Sequence, residues 1–132
     1  MAVRPVLRMG HPILRQTAAP VGRFGTRELA ALIEDMDDTM RALSGAGLAA
    51  PQIGVSLRVV IFEVLRNRRY PEVEPVPYTV LVNPELTPLD GGMEDGWEGC
   101  LSVPGLRGKV PRYRRLRYRG YDAEGRVLDR TV

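Results

Sequence analysis

Apolar side chains recur every three or four residues from Thr26 onward, which is the spacing of an amphipathic helix. Gly25 or Thr26 can cap the start of this helix, and Glu28 lies in its first turn if Gly25 is the cap. Ser44-Gly45 supplies the stop, because glycine commonly follows a helix C-terminus. The pattern predicts a helix over residues 26–43. Its apolar face consists of Leu29, Leu32, Ile33, Met36, Met40 and Leu43.

β-Branched and aromatic residues predict strands in the rest of the chain. Residues 4–23 contain three prolines and indicate an extended arm with turns. Charges and prolines at 65–77 predict an exposed loop, and Asp122-Ala123-Glu124-Gly125 predicts a hairpin turn. The predicted strands are residues 57–64, residues 78–82 ending at Asn83-Pro84, a short strand at 86–89, residues 110–121, and residues 126–132.

These elements predict an α+β domain with mostly antiparallel sheets and one N-terminal amphipathic helix. The 132 residues are enough for one domain with a core, so we expect a single domain over 1–132. No apolar run is long enough to span a bilayer, and the N-terminus shows no secretory signal pattern. We therefore expect a soluble protein in the cytoplasm.

Cys100 is the only cysteine, so an internal disulfide is excluded. The thiol can be structural, reactive or a metal ligand. As a nucleophile it would need a general base. His11 is the only histidine and so the only histidine that could act as this base. As a metal ligand it would need further donors. Residue type alone leaves these roles open.

Residues 45–54 contain a G-x-G, but this stretch follows a helix rather than a strand, so the dinucleotide-binding interpretation fails. Its small residues suit a backbone that is approached closely, either by a packed strand or by an extended ligand. Gln52 would present a side-chain amide there, and such a donor can polarise a carbonyl oxygen as charge builds on it. A tightly packed loop is the alternative.

Arginine dominates the segment from Arg112 to Tyr121, with Arg107 and Lys109 just before it. Arginines interleaved with tyrosines are typical of a nucleic-acid surface, where the cations contact phosphate and the rings stack on bases. The net charge is only +3. A strand with one solvated arginine face is the simpler interpretation.

Two motifs in this order and at this separation resemble the peptide deformylases. They are G-A-G-L-A-A-P-Q at 45–52 and E-G-C-L-S at 98–102. The resemblance also covers residues 8–15, the predicted helix, Val82-Asn83-Pro84 and Ser102-Val103-Pro104-Gly105, and so extends over essentially the whole chain. It implies a deformylase-like fold and metal-dependent hydrolysis of the N-formyl group from the N-terminal formylmethionine of nascent polypeptides, with release of formate.

The resemblance also implies roles for individual residues. Cys100 would be a thiolate ligand of one divalent metal, with Fe²⁺ as the native ion and Zn²⁺, Ni²⁺ or Co²⁺ as substitutes. Gln52 and the Leu101 N–H would hold the formyl oxygen. The substrate-binding residues would be Gly45 and Gly47, which border the peptide, and Glu98, which lies near the methionine pocket.

The family's third motif is an H-E-x-x-H helix, which supplies two histidine ligands and a glutamate acting as general acid and base. That motif does not occur between Met1 and Val132. We therefore expect a C-terminally incomplete domain that lacks its metal-binding helix, and an active protein that is longer. The alternative is an inactive deformylase-like binding module, which would contact RNA or the ribosome through the arginine-rich hairpin predicted for strands 110–121 and 126–132.

Overall fold

The computed structural model describes residues 2–65 and 74–132. Within these residues the chain forms one α-helix, two short 3-10 helices at Pro12–Arg15 and Ala50–Ile53, and seven strands. The helix and strands are α1 (Arg27–Ala42), β1 (Gly47–Ala49), β2 (Val59–Val64), β3 (Val76–Pro88), β4 (Met93–Cys100), β5 (Val103–Tyr113), β6 (Leu116–Tyr121) and β7 (Val127–Thr131).

The described strands form two sheets. One has five strands in the order β1-β2-β3-β6-β7, and the other is the β4-β5 hairpin. Every pair of neighbouring strands in these sheets is antiparallel. The predicted class, an α+β fold with mostly antiparallel sheets and one N-terminal helix, is confirmed. None of the helices in residues 2–65 and 74–132 is both long enough and apolar enough to cross a membrane.

The predicted helix is present, and Thr26 rather than Gly25 caps it, because the Thr26 hydroxyl accepts a hydrogen bond from the Leu29 N–H. Its apolar face packs on the five-stranded sheet and forms the core together with β1, β2 and β3. Leu43 was wrongly placed on that face, since it follows the helix and is 46% exposed. The buried helix residues are Leu29, Leu32, Met36, Thr39 and Met40.

The end of α1 differs from the prediction in one respect. Ser44, not Gly45, has the left-handed conformation, with φ 53°. The Gly45 N–H donates to the Met40 carbonyl and the Ser44 N–H to the Arg41 carbonyl, which are the two bonds of a Schellman motif. Gly45 does not have a positive φ, so its role lies in the packing against Leu101 described below.

Asn83-Pro84 does not end a strand, contrary to the prediction. β3 continues through Pro88, with an irregularity between Val82 and Glu85 where Asn83 has φ 52°. The Asn83 side chain accepts from the Val21 N–H at 2.8 Å and donates to the Val21 carbonyl at 3.0 Å. This bulge ties the N-terminal arm to the sheet, and asparagine tolerates the left-handed region better than most residues do.

Three strand boundaries also differ from the prediction. The segment 110–121 is two strands, because the chain turns at Arg114 and Arg115 from the hairpin to the five-stranded sheet. Residues 86–89 are not a separate strand, since Leu86 pairs with Tyr118 as part of β3. The predicted loop ends earlier than Pro77, where β3 has already begun, and residues 66–73 of it lie outside the described residues.

Candidate functional site

The two sequence motifs meet in space. Gly45 lies so close to Leu101 that a Cβ atom at position 45 would come 2.8 Å from the Leu101 Cδ1 atom. Both residues lie next to the sheet core, and Leu101 packs against its buried cluster. A side chain at position 45 would displace the end of the Leu101 side chain, which occupies the space next to this glycine. The motifs at 45–52 and 98–102 therefore form one region of the molecule.

Gln52 bridges the two motifs through its side-chain amide. Its Oε1 atom accepts from the Ala49 N–H at 2.9 Å, within the first motif. Its Nε2 atom donates to the Ser102 Oγ at 3.0 Å and lies 3.7 Å from the Cys100 Sγ. Gln52 belongs to the 3-10 helix that follows β1, and this helix turns the side chain toward the second motif.

The Leu101 N–H is a second donor in this region. Leu101 follows the last residue of β4, at the turn that joins β4 to β5. Its N–H has no hydrogen-bond partner in the described parts of the chain. Leu101 and Gln52 line the same groove, so the Leu101 N–H is available to bind an oxygen atom of a ligand there.

Cys100 ends β4 and is an exposed free cysteine. A thiolate is a good ligand for iron or zinc, but such a site needs several donors. Residues 2–65 and 74–132 contain no group of three or more His, Cys, Asp or Glu side chains that could hold a metal ion. The residues described therefore offer one suitable donor at this position and do not by themselves complete a metal site.

A groove of about 650 Å³ runs between the segment 43–47 and the segment 99–107. Gly47, the first residue of β1, lines the groove, and β1 pairs along one edge with β2, where Gly47 lies opposite Phe62. Gln52 and Cys100 both line the groove. An edge strand with unpaired main-chain groups can add an extended peptide as a further strand.

Glu98 is held by Arg112 in a two-pronged ion pair, with Nε and Nη2 donating to the two carboxylate oxygens at 2.8 and 2.7 Å. The hydrogen bonds from Arg112 hold the pKa of Glu98 below its ordinary value. Glu98 also borders a smaller hollow of about 310 Å³, together with Cys100, Leu106 and Val110. Its carboxylate is therefore charged and fixed in direction at neutral pH.

His11 has a local structural role. Its Nδ1 atom accepts from the Ile13 N–H at 3.2 Å and so caps the 3-10 helix at Pro12–Arg15. It lines neither the groove nor the hollow beside Glu98. The geometry gives His11 no part as a general base for the Cys100 thiol.

The arginine-rich segment is paired with acidic residues. Arg112 binds Glu98, as described, and Arg117 donates through Nε to Asp129 at 2.7 Å. Arg114 and Arg115 lie within 4.0 Å of Glu94 and Asp90, respectively. These pairs neutralise much of the segment and favour a solvated arginine face, while nucleic-acid binding stays a prediction.

Sequence reasoning missed three partners of the site. Ser102 was not recognised as the acceptor for Gln52, nor Arg112 as the partner of Glu98. The N-terminal arm was not connected with the site, although its Leu7 N–H donates to the Gln52 carbonyl at 2.7 Å and its Met9 N–H to the Ser102 carbonyl at 2.8 Å. These contacts join residues that are far apart in the chain, and no local pattern indicates them.

Comparison with known proteins relates this chain to a known family. The profile of the family described as Polypeptide deformylase matches residues 3–132. Peptide deformylase 1 of Nitrosomonas europaea is 65% identical over 130 residues, which cover 98% of this chain and 74% of that protein. Peptide deformylase 2 of Ralstonia nicotianae is 66% identical, with coverage of 98% and 73%. The chain thus spans about three quarters of the length of these curated relatives.

Solved structures agree with the sequence comparison. A class I type b peptide deformylase from Acinetobacter baumannii with Met-Ala-Ser bound superposes with a TM-score of 0.92 at 36% identity, over 99% of this chain and 84% of that chain. A peptide deformylase from Legionella pneumophila gives a TM-score of 0.86 at 37% identity, over 99% of this chain and 72% of that chain.

Proposed function

This chain belongs to the polypeptide deformylase family, and on that premise we propose how its residues take part in the reaction. It is a peptide deformylase, a hydrolase that removes the N-formyl group from the formylmethionine at the start of a polypeptide. The observation that carries the proposal is the bridge made by Gln52, whose amide nitrogen lies 3.0 Å from Ser102 Oγ and 3.7 Å from Cys100 Sγ.

We propose that the formylated peptide lies in the groove beside β1. Gly45 and Gly47 both line this groove and Gly47 is exposed, so that an extended peptide could pair with the backbone of this edge. Such pairing would fix the direction of the substrate chain and bring its N-terminus toward Gln52. A substrate held in a defined orientation loses less entropy on the way to the transition state.

The formyl oxygen would accept hydrogen bonds from the Gln52 amide and the Leu101 N–H. Negative charge develops on this oxygen when the formyl carbon is attacked, and donors fixed in advance stabilise that charge more than water does. The Leu101 N–H suits this role because it has no other partner among the described residues. Gln52 suits it because its amide is already oriented by Ala49.

We place the methionine side chain of the substrate near Glu98. The hollow beside Glu98 is lined on its apolar side by Leu106 and Val110 and opens next to Cys100. Arg112 holds the Glu98 carboxylate by both oxygens and so keeps it from turning freely. The Glu98 carboxylate, held in one orientation, would then border the methionine side chain of the formylated residue.

The family is metal-dependent, and we propose Cys100 as a thiolate ligand of the metal. Fe²⁺ is our choice for the native ion, with Zn²⁺, Ni²⁺ and Co²⁺ as substitutes, because a thiolate suits these metals better than Mg²⁺ or Ca²⁺. The residues described supply this one donor without completing the site. We also propose the cytoplasm as the location, since formylated chains are made there in bacteria.

We propose that residues 1–132 belong to one domain. The support for this proposal is that α1, β1, β2 and β3 share a single buried cluster, which includes Met36, Leu48, Val59 and Val82. The N-terminal arm is bonded to the same domain, because its Val21 N–H donates to the Asn83 side chain and its Leu7 N–H donates to the Gln52 carbonyl.

The test is formate release from formyl-Met-Ala-Ser by the metal-loaded enzyme. Replacing Gln52→Ala is expected to lower kcat about 100-fold, which is typical for the loss of one oxyanion donor. Gln16→Ala is the matched control, because Gln16 is the only other glutamine, is exposed and lies outside the groove. Activity in Gln16→Ala should equal that of the unaltered enzyme.

Two results would overturn the proposal. Absence of formate release by a protein that holds its metal would contradict the assigned reaction. Full activity of Gln52→Ala would contradict the assigned oxyanion donor.

A further inference from the structure

The direction of the Gln52 amide is fixed at both ends. The Ala49 N–H can only donate, so it must face the carbonyl oxygen of the amide and not the NH₂ group. If the amide were turned over, two donors would face each other at position 49. The NH₂ group must therefore point toward the second motif, where it donates to Ser102 Oγ.

Ser102 occupies one of the two hydrogen atoms of that NH₂ group. One hydrogen is donated to the hydroxyl, with 3.0 Å between Nε2 and Oγ. This bond sets the plane of the amide, so the second hydrogen has a defined direction. The second hydrogen points toward Cys100, whose Sγ accepts a longer hydrogen bond from the same nitrogen at 3.7 Å where Cys100 lines the groove. The hydroxyl thus determines the direction in which the remaining hydrogen points.

Ser102 is itself held firmly. The residue is only 5% exposed, and its carbonyl accepts from the Met9 N–H. The Gln52 carbonyl accepts from Leu7, two residues earlier in the same arm. One short segment of backbone therefore fixes the positions from which both partners of the hydrogen bond extend.

From this geometry we propose that Ser102 is a positioning residue, which directs the Gln52 amide at the formyl oxygen through the hydrogen bond between the two side chains. The inference rests on the proposed role of Gln52 as an oxyanion donor. The hydroxyl fixes the NH₂ group before substrate arrives, so the donor does not have to reorient as charge develops. Its contribution should appear in kcat, because an oxyanion donor acts more strongly in the transition state than on the bound substrate.

A double-mutant cycle in the metal-loaded enzyme tests this proposal. Ser102→Ala is expected to lower kcat about tenfold and to change KM less than twofold. In a Gln52→Ala background the same substitution should leave kcat unchanged, because no amide remains to be positioned. Equal losses in both backgrounds, or an undiminished kcat in Ser102→Ala, would overturn the proposal.

A second buried hydroxyl provides the control for stability. Thr79 is 3% exposed, and its Oγ1 donates to the Pro77 carbonyl in β3, away from the groove. Thr79→Val removes this hydroxyl at nearly constant volume and should lower the Tm without lowering kcat. If Thr79→Val lowers kcat as much as Ser102→Ala does, general destabilisation explains both variants and Ser102 has no special role.

Two further measurements separate this inference from the assigned reaction. Ser102→Thr retains a hydroxyl and should restore most of the kcat lost in Ser102→Ala. The side-chain NH₂ protons of Gln52 should exchange with water faster in Ser102→Ala than in the unaltered protein, as measured by NMR without any substrate. Unchanged exchange would overturn the positioning role even in an active enzyme, whereas accelerated exchange in a protein that releases no formate would leave it intact and overturn the assigned reaction alone.

Discussion

Gly45 and Leu101 are in direct contact across the two motifs, with 2.8 Å between an ideal Cβ at position 45 and the Leu101 Cδ1 atom. This contact places the backbone of the first motif against the residue whose N–H we assign to the formyl oxygen. Any side chain at position 45 must displace Leu101. The spacing of the two assigned hydrogen-bond donors therefore depends on a glycine that contributes no functional group.

Gly45→Ala is expected to lower kcat/KM for formyl-Met-Ala-Ser about tenfold, because the new methyl group pushes the Leu101 side chain and its neighbouring backbone. The loss of stability should be small, about 1 kcal/mol or less, since the displaced atoms are the end of a flexible side chain. Gly91→Ala is the control, because nothing lies within 4 Å of a Cβ atom there. A Gly45→Ala enzyme with unaltered kcat/KM would show that the contact does not set the donor geometry.

Replacing Arg112→Gln should raise the pKa of Glu98 toward its ordinary value of 4.5. The pKa is lowered in the folded protein, so the pair stabilises the fold above about pH 4.5, and this contribution is lost as the pH falls through the lowered pKa. Because Glu98 is solvent-accessible, added salt should weaken the effect. Carboxyl chemical shifts followed by NMR titration measure the change. In the control variant Arg114→Gln, the Glu98 titration should not move.

Asn83→Ala should lower the free energy of unfolding by about 2 kcal/mol, as measured by urea denaturation. The substitution removes both hydrogen bonds to Val21. It also leaves an alanine at φ 52°, where alanine is more strained than asparagine. Asn83→Gly removes the same bonds but is unstrained at this φ, so its loss should be smaller. Equal stability of both variants and the unaltered protein would mean that the bulge does not hold the arm.

Alkylation of Cys100 should report metal binding directly. It is the only cysteine and is exposed, so iodoacetamide labels one defined position. Bound Zn²⁺ should slow labelling at least about tenfold, because a coordinated thiolate is not available as a nucleophile. Mg²⁺, which prefers oxygen ligands, should give no protection. Labelling at the free rate in a protein shown to hold one zinc ion would exclude Cys100 as a ligand.

The sequence predicted the parts of the fold that depend on local patterns. The spacing of apolar residues identified α1, and β-branched residues identified β2. It did not indicate the β4-β5 hairpin, where Trp97 is 67% exposed and glycines interrupt the alternation of buried and exposed residues. The continuation of β3 past Asn83 was also missed, because the bonds that hold it reach Val21, 62 residues earlier.

For the site, the sequence could indicate which residues matter but not how they are held. Gln52, Cys100 and Leu101 were singled out by their motifs, and the fold brings them into one region. The hydrogen bond from Gln52 to Ser102 joins residues 50 positions apart, and a serine in a five-residue motif gives no sign of such a partner.

The bonds from Leu7 and Met9 to the two motifs have a consequence for folding kinetics. The region assembles from three segments separated by long stretches of chain, so the hydrogen bonds between these segments cannot form through local contacts. Antiparallel pairing between distant segments is a slow step in folding, because loop closure precedes any gain from contact. Catalytic competence should therefore appear late during refolding, after α1 has formed, and the backbone amides of Leu7 and Met9 should become protected from hydrogen exchange at the same time as activity returns.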